Sequence, residues 1–119
     1  MIALIVEGIN DIKKISMVLK NNVRYIQLHG INFSFQKKEE IQEAIETCDH
    51  VYILTDPDKA GDKVALQIQE SFPQLERILV NPDEAKVLKK RGYRYGVEYC
   101  NNEYLRYLFA RHFPLAAHV

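Results

Sequence analysis

Three acids stand where apolar stretches of the chain give way to turns. Glu7 follows the run Ile2 to Val6, and Asp56 and Asp58 follow Val51 to Leu54. Residues two apart in an extended chain point the same way, so Asp56 and Asp58 are expected to present both carboxylates to one point, with Pro57 stiffening the arrangement. Gathered carboxylates repel one another at neutral pH unless a cation or a proton neutralises them. Oxygen ligands unaccompanied by His or Cys favour Mg2+, with Mn2+ as a substitute, over zinc. Mg2+ keeps several waters and binds through one or two carboxylates plus substrate phosphate oxygens, which points to phosphate chemistry rather than a structural ion cage. Taken singly, Glu7 or Asp58 reads equally well as a solvated acid at a helix start. The three together favour the metal reading.

Bringing these acids together requires a sheet whose strand ends lie side by side. Residues 2–6 are continuously apolar, as a buried parallel strand requires. Gly8-Ile9-Asn10 breaks that strand, and Asn10 is the expected N-cap of a helix running to Lys20, with Ile12, Ile15 and Leu19 on one face. Asn21 and Asn22 stop it. Residues 24–28 are the second expected strand, followed by a loop at His29 and Gly30. A helix from about residue 37 to 47 turns Ile41, Ala44 and Ile45 inward. Residues 51–54 supply the third strand, a helix after Gly61 buries Val64, Ile68 and Phe72 and closes at Pro73, and residues 78–80 supply the fourth strand.

This alternation predicts an α/β, Rossmann-like fold with a central four-stranded parallel sheet, helices on both faces and right-handed crossovers. Ligands of such sheets bind beyond the carboxyl ends of the strands, where the three acids fall. If strands one and three are neighbours, Glu7 faces the pair across a single gap. After Pro82 the pattern weakens into a basic segment from Lys86 to Arg94, then Gly96-Val97-Glu98 and a last helix over about 102–112. Without a repeat or linker, one domain over residues 1–119 is expected, its core in 1–100.

At 119 residues, 47% of them apolar and 27% charged, the chain has the balance of an ordinary globular protein with one core. No apolar run is long enough for a membrane span. Met1 to Val6 runs into Glu7 without a basic leader or a cleavage site, so a cytoplasmic protein with no membrane partner is expected. Cys48 and Cys100 are too far apart for a disulfide framework or a metal knuckle, and are expected to be reduced thiols. Net charge is zero, yet residues 1–58 hold nine acids and six bases while residues 59–119 hold seven acids and ten bases. That excludes a protein gripping nucleic acid by bulk charge, and fits an acidic site with a basic flank.

Two stretches carry a resemblance to a known family. Val6-Glu7-Gly8-Ile9-Asn10-Asp11 resembles the first motif of Toprim domains, a Glu-Gly pair after strand one with an acid three residues beyond the Gly. Leu54-Thr55-Asp56-Pro57-Asp58-Lys59-Ala60-Gly61 resembles the second, an Asp-x-Asp followed by a Gly. The resemblance covers roughly residues 1–100. Toprim domains occur in topoisomerases, bacterial primases, recombination-repair proteins, OLD-family nucleases and the ribonuclease that matures 5S ribosomal RNA. This sequence looks most like the last, whose Thr-Asp-Pro-Asp-x-x-Gly pattern is matched by Thr55 to Gly61 and whose late Gly-Val-Glu is matched by Gly96 to Glu98. Topoisomerases usually carry a third Asp before the Gly, where this chain has Ala60. The maturation nuclease has a further C-terminal region implicated in RNA recognition. This sequence stops soon after its last expected helix, as a small stand-alone or truncated Toprim protein would.

The resemblance implies Mg2+-dependent phosphodiester chemistry on nucleic acid: an endoribonuclease of ribosomal RNA processing, with structured RNA favoured over DNA and a ribosomal or processing protein as a further partner. Glu7 would be the catalytic acid or base and, with Asp56 and Asp58, a metal ligand. Asp11 and Glu98 would be supporting acids, although Asp11 reads equally well as a helix-dipole acid and Glu98 as a surface one. Gly8 and Gly61 allow close approach of backbone and open helices whose amides can meet a phosphate, or else serve ordinary turns. Lys59 and Lys63 flank the metal pair, and Asp62 reads as a helix-start acid.

The segment from Lys86 to Tyr95 has five bases and no acid, interleaved with two tyrosines. There Lys89, Lys90, Arg91 and Arg94 would neutralise phosphates while rings stack on unpaired bases, at about 1–3 kcal/mol per stack. The alternative is a solvated helix end with its tyrosines packed on the sheet. His29 lacks a second ligand of matching spacing. A rival class is a non-catalytic Toprim module that positions nucleic acid for a partner protein, but a pure binder has no need of Glu7. Response-regulator receivers want an acidic pair after strand one, and Asp-x-Asp phosphatases place their motif on that strand; neither pattern is present.

Overall fold

A computed structural model describes residues 1–20, 22–29 and 34–113. Its central strand is β1 (Ile2–Val6), buried along its whole length. β1 pairs in parallel with β2 (Val23–Gln27) on one side and β3 (His50–Ile53) on the other, and β3 pairs in parallel with the short β4 (Glu76–Arg77). The order is therefore β2-β1-β3-β4. Successive side chains of a strand point to opposite faces. Ile2, Leu4 and Val6 accordingly join one apolar cluster with Ile15, Leu105, Leu108 and Phe109, whereas Ala3 and Ile5 join another with Ile41, Ala44, Val64 and Ile68. These residues belong to α1 (Ile9–Ile15) and α4 (Asn102–His112) on the first face, and to α2 (Phe35–Thr47) and α3 (Lys59–Ser71) on the second. Covering both faces is what demands the unbroken apolar run, each large side chain contributing about 1.5–3 kcal/mol on burial.

Several boundaries differ from the sequence expectation, each for a local reason. Gly8, in extended backbone, is the N-cap of α1, so Asn10 lies inside the first turn. The helix stops at Ile15 rather than Lys20. Ser16 Oγ donates to the Lys13 carbonyl at 2.9 Å, and the N–H groups of Met17 and Val18 turn to carbonyls three residues back, tightening the last turn. Leu19 is nonetheless buried, as its spacing required. The stop expected at Asn21 and the loop expected at Gly30 lie outside the described residues. α3 starts at Lys59, before Gly61 rather than after it, because Asp58 caps it. In place of a strand at 78–80 the ladder ends early. Ile78 donates one further bond to the Ile53 carbonyl at 2.8 Å, and Ile78 and Val80 stay buried as the chain leaves the sheet.

The basic segment is a β-hairpin. β5 (Lys86–Lys89) and β6 (Gly92–Tyr95) pair antiparallel around Lys90 and Arg91, and Gly92 takes a φ of 111° that a side chain would resist. It is neither a helix end nor part of the main sheet. Cys48 and Cys100 are free, with Cys100 buried. Among the described residues no helix is long and apolar enough to cross a membrane.

Candidate acidic site

β1 delivers Glu7 and β3 delivers Asp56 to the same edge of the sheet, because the two strands are neighbours with Ile5 level with Ile53. The backbone N–H of Asp56 donates to Glu7 Oε2 at 2.7 Å. Asp56 Oδ1 in turn accepts the backbone N–H of Val97 at 2.8 Å. Asp58 sits on the same turn, but its Oδ1 accepts the Gly61 N–H at 2.7 Å and so caps α3. On the other side, Asp11 is buried and accepts the Gly8 N–H at 3.2 Å. The charge of Glu98 also acts on it.

These contacts make an electrostatically loaded edge. Burial pushes the Glu7 carboxyl up to about 8; its hydrogen bond to the Asp56 side chain and the charges of Asp56 and Asp58 act the same way, against the lowering effect of the Asp56 N–H. Burial raises Asp56 as well, with Asp58 and Glu98 adding to it and the bonds from Glu7 and Val97 opposing it. Two carboxyls this close titrate as a pair, so the first proton taken up is shared between them rather than owned by either. Burial, followed by the charge of Asp56, brings Asp11 to about 7.

The Asp56 backbone is clamped at every polar atom. Its N–H is held by Glu7, and its carbonyl accepts from Arg77 Nη2 at 3.1 Å. Arg77 Nη1 also binds Asp62, in the first turn of α3, at 2.8 Å. The first turn of α3 presses on the same spot: a Cβ on Gly61 would lie 1.9 Å from the Asp56 carbonyl oxygen, and Thr55 Oγ1 donates to the Gly61 carbonyl at 2.9 Å. The glycine is therefore a packing requirement.

Sequence reasoning did not reach Arg77 or the backbone of Val97, and it met Thr55 only as the first residue of a motif. Arg77 recognises a carbonyl 21 residues earlier in the chain, which leaves no local pattern. Gly96-Val97-Glu98 did stand out, although what touches Asp56 is a backbone N–H and not the Glu98 carboxylate.

The proposed acids are gathered unevenly. Glu7 and Asp56 touch, Asp58 is in electrostatic reach of both, and Asp11 and Glu98 are in reach of Asp56. Among the described residues no three acidic, His or Cys side chains are grouped as ligands of one ion, and Asp58 has one oxygen engaged in capping. An all-oxygen set of mutually repelling carboxyls still fits a hard cation that takes one or two carboxylates and fills its shell with water and phosphate. The Gly8 and Gly61 amides expected to meet a phosphate are already bonded to Asp11 and Asp58. Lys59 and Lys63 are exposed on α3, and His29 pairs with Gln27.

Comparison with known proteins adds the following. Residues 2–91 match the Toprim domain model. The chain is 31% identical over 103 residues to Ribonuclease M5 of Listeria monocytogenes serovar 1/2a, covering 87% of this chain and 51% of that protein. It is 38% identical over 69 residues to the uncharacterized protein YusF of Bacillus subtilis strain 168, covering 58% of this chain and 46% of that one. It thus spans about half the length of the curated relatives it matches. A small TOPRIM domain protein from Bacillus stearothermophilus shares the fold, with a TM-score of 0.74 at 24% identity over 98% of this chain and 95% of the other. Since the matched region takes in both acid-bearing turns and the whole of the parallel sheet, the chain belongs to the Toprim domain family.

Proposed function

We propose that this chain carries out Mg2+-dependent phosphodiester hydrolysis on nucleic acid, as an endoribonuclease of the kind that trims ribosomal RNA. The observation that carries the reading is the Glu7–Asp56 pair, joined at 2.7 Å on the open edge of adjacent parallel strands. Asp56, with Asp58 beside it, would hold the ion, and Glu7 would face it as the proton-transfer group, joining the ligands only when ionised. When bound, Mg2+ (or Mn2+) supplies charge stabilisation at the phosphate oxygens. Glu7, a carboxyl that burial raises toward the working pH in the metal-free chain, would take a proton from the water that adds to phosphorus and return one to the leaving ribose oxygen as the P–O bond breaks. Val97 fixes the orientation of Asp56, and Asp11 and Glu98 support the pair from behind.

Lys59, Lys63, Lys89, Lys90, Arg91 and Arg94 are the cations offered to the phosphate backbone, and Gly61 lets α3 close on Asp56. The likeness to a protein named Ribonuclease M5 supports RNA over DNA; a structured RNA, a ribosomal or processing protein as a further partner and a cytoplasmic setting complete the reading as what the motif resemblance implies. A second reading, a module that binds nucleic acid for a partner without cutting it, draws on the capping role of Asp58. Incubation with end-labelled structured RNA and with DNA, in Mg2+ and in EDTA, decides between them. Metal-dependent cutting of RNA that is lost in Glu7→Gln supports the nuclease. Tight binding without cutting by the unaltered chain supports the module.

A further inference from the structure

The hairpin has two chemically distinct faces. Residues directly opposite in an antiparallel pair share a face, which places Leu88 with Tyr93 on one side and Val87 with Arg94, and Lys89 with Gly92, on the other. The second side turns toward the 3-10 turn Val97–Tyr99, where Lys89 Nζ lies 6.0 Å from the Tyr99 ring centroid. Between them opens a cleft of about 630 Å3 lined by Lys89, Lys90, Arg91, Tyr93, Arg94 and Tyr99, along with Gly92. The lining holds four cations and no acid; of its two rings, Tyr99 belongs to the facing turn and Tyr93 to the hairpin's other face, where Lys86 Nζ lies 4.6 Å from its centroid. Among the described residues, none of those four cations is ion-paired.

The cleft adjoins the acidic pair. One edge of the Tyr99 ring lies against Gly96, where a Cβ would meet it at 3.4 Å. Gly96 immediately precedes Val97, whose N–H holds Asp56, and Gly96 N–H closes the hairpin base on the Ala85 carbonyl at 2.9 Å. From Arg94 to Val97 is three steps of chain, about 10 Å if fully extended. That span is within reach of the nucleotide next to a phosphate held at the acids.

We propose that this cleft is a subsite for unpaired nucleic acid, in which Lys89 and Arg94 hold the phosphate of a nucleotide next to the reacting one and Tyr99 stacks on its base. The subsite rests on the phosphodiester reading of the acidic pair and adds to it a substrate class: a strand that is single where it crosses the hairpin. Cations alone would equally accept an acidic peptide. The interleaved rings favour a polyanion that also carries planar bases.

The test is fluorescence anisotropy with a labelled oligouridylate and with a blunt RNA duplex, in EDTA so that nothing is cut, across a salt series. The single strand is expected to bind in preference to the duplex. Replacing Lys89 and Arg94 together by Ala shallows the log–log salt slope by about 1.4, the value for two phosphates on a single strand. Tyr99→Leu weakens binding roughly ten-fold while Tyr99→Phe restores it, as stacking requires. Circular dichroism checks that each variant is folded. No binding by the unaltered chain, equal binding to the duplex, displacement by polyglutamate as readily as by RNA, or variants that bind like the parent would each overturn the subsite. The two readings separate cleanly. Tyr99-dependent binding with no cutting in Mg2+ keeps the subsite and removes the nuclease, whereas Glu7-dependent cutting that ignores Lys89, Arg94 and Tyr99 does the reverse.

Discussion

Glu7 Oε2 accepts the backbone N–H of Asp56 at 2.7 Å, so the acid ending one strand fixes the backbone from which the next acid hangs. This gives Glu7 a structural task beside the proposed chemical one, and two substitutions separate them. The amide oxygen of Gln accepts the same bond, while Ala leaves a partly buried N–H without its partner. Glu7→Gln should therefore unfold at nearly the parent's urea midpoint, and Glu7→Ala should lose about 1–3 kcal/mol. RNA cutting should fall by a factor on the order of 100 or more in both. Gln retaining full cutting would remove Glu7 from the chemistry.

The raised carboxyls also set the pH dependence of stability without metal. Glu7 rises from its ordinary 4.5 to about 8 and Asp11 from 3.8 to about 7, both chiefly by burial, and Asp56 is raised too. Each binds its proton more tightly in the folded chain than in the unfolded one. The native state therefore holds more protons between the two sets of values, and stability falls as pH rises through that window. In EDTA the melting midpoint should be higher near pH 5 than near pH 8. Glu7→Gln should flatten the upper part of the profile, and Mg2+ should restore stability at the alkaline end by binding the charged acids. A midpoint that climbs from pH 5 to pH 8 in EDTA would show that these groups titrate normally.

The features readable in advance are those built from runs of side chains. β1 was legible because both its faces are covered, and α4 as a span over about 102–112, although its buried face is Leu105, Leu108 and Phe109 behind the cap Asn101. The hairpin was not. In β5 and β6 the bases interrupt the apolar alternation, and the turn residues Lys90 and Arg91 carry no turn signature, leaving Gly92 as the lone clue. At the site the acids were legible as residue types at strand ends. Their restraints were not, since the Val97 N–H and the Asp56 carbonyl are backbone groups that every residue has. Strand parity placed Asp56 and Asp58 on one turn, but it could not show that Asp58 would spend an oxygen on capping α3.

That capping bond makes Asp58 separable into shape and charge. Asn caps as well as Asp, whereas Ala removes the cap and costs about 1 kcal/mol. Asp58→Asn should leave the urea midpoint almost unchanged and Asp58→Ala should lower it. If Asp58 helps to hold the ion, both should need more Mg2+ for half-maximal cutting, by a similar factor. A metal requirement unchanged in Asp58→Asn would confine Asp58 to the helix cap.

Gly61 offers a purely steric prediction. Its missing side chain is where a Cβ would come within 1.9 Å of the Asp56 carbonyl oxygen, a backbone atom that cannot swing away. Gly61→Ala normally gains helix propensity of about 1 kcal/mol. Here the collision should outweigh that gain, leaving a net loss of about 1–3 kcal/mol in chemical unfolding. A more stable Gly61→Ala variant would mean that α3 and the Asp56 turn are not pressed together in solution.

Arg77 acts on the same turn from the opposite side. Its guanidinium holds the Asp56 carbonyl and the Asp62 carboxylate at once, at 3.1 and 2.8 Å. Only the exposed partner, Asp62, carries charge, so the ion pair itself contributes little. The value of the contact lies in the fork geometry, which a lysine ammonium cannot reproduce. Arg77→Ala should destabilise by about 1–3 kcal/mol and reduce cutting as the Asp56 turn loosens. Arg77→Lys is the discriminating variant: it keeps the charge without the fork, so it should recover little of the stability, and turnover should stay depressed because the Asp56 carbonyl has lost its guanidinium partner. Urea unfolding and initial cutting rates at saturating Mg2+ measure both effects. If Arg77→Lys cuts like the parent, the charge near the turn is what counts, and the fork does not position Asp56.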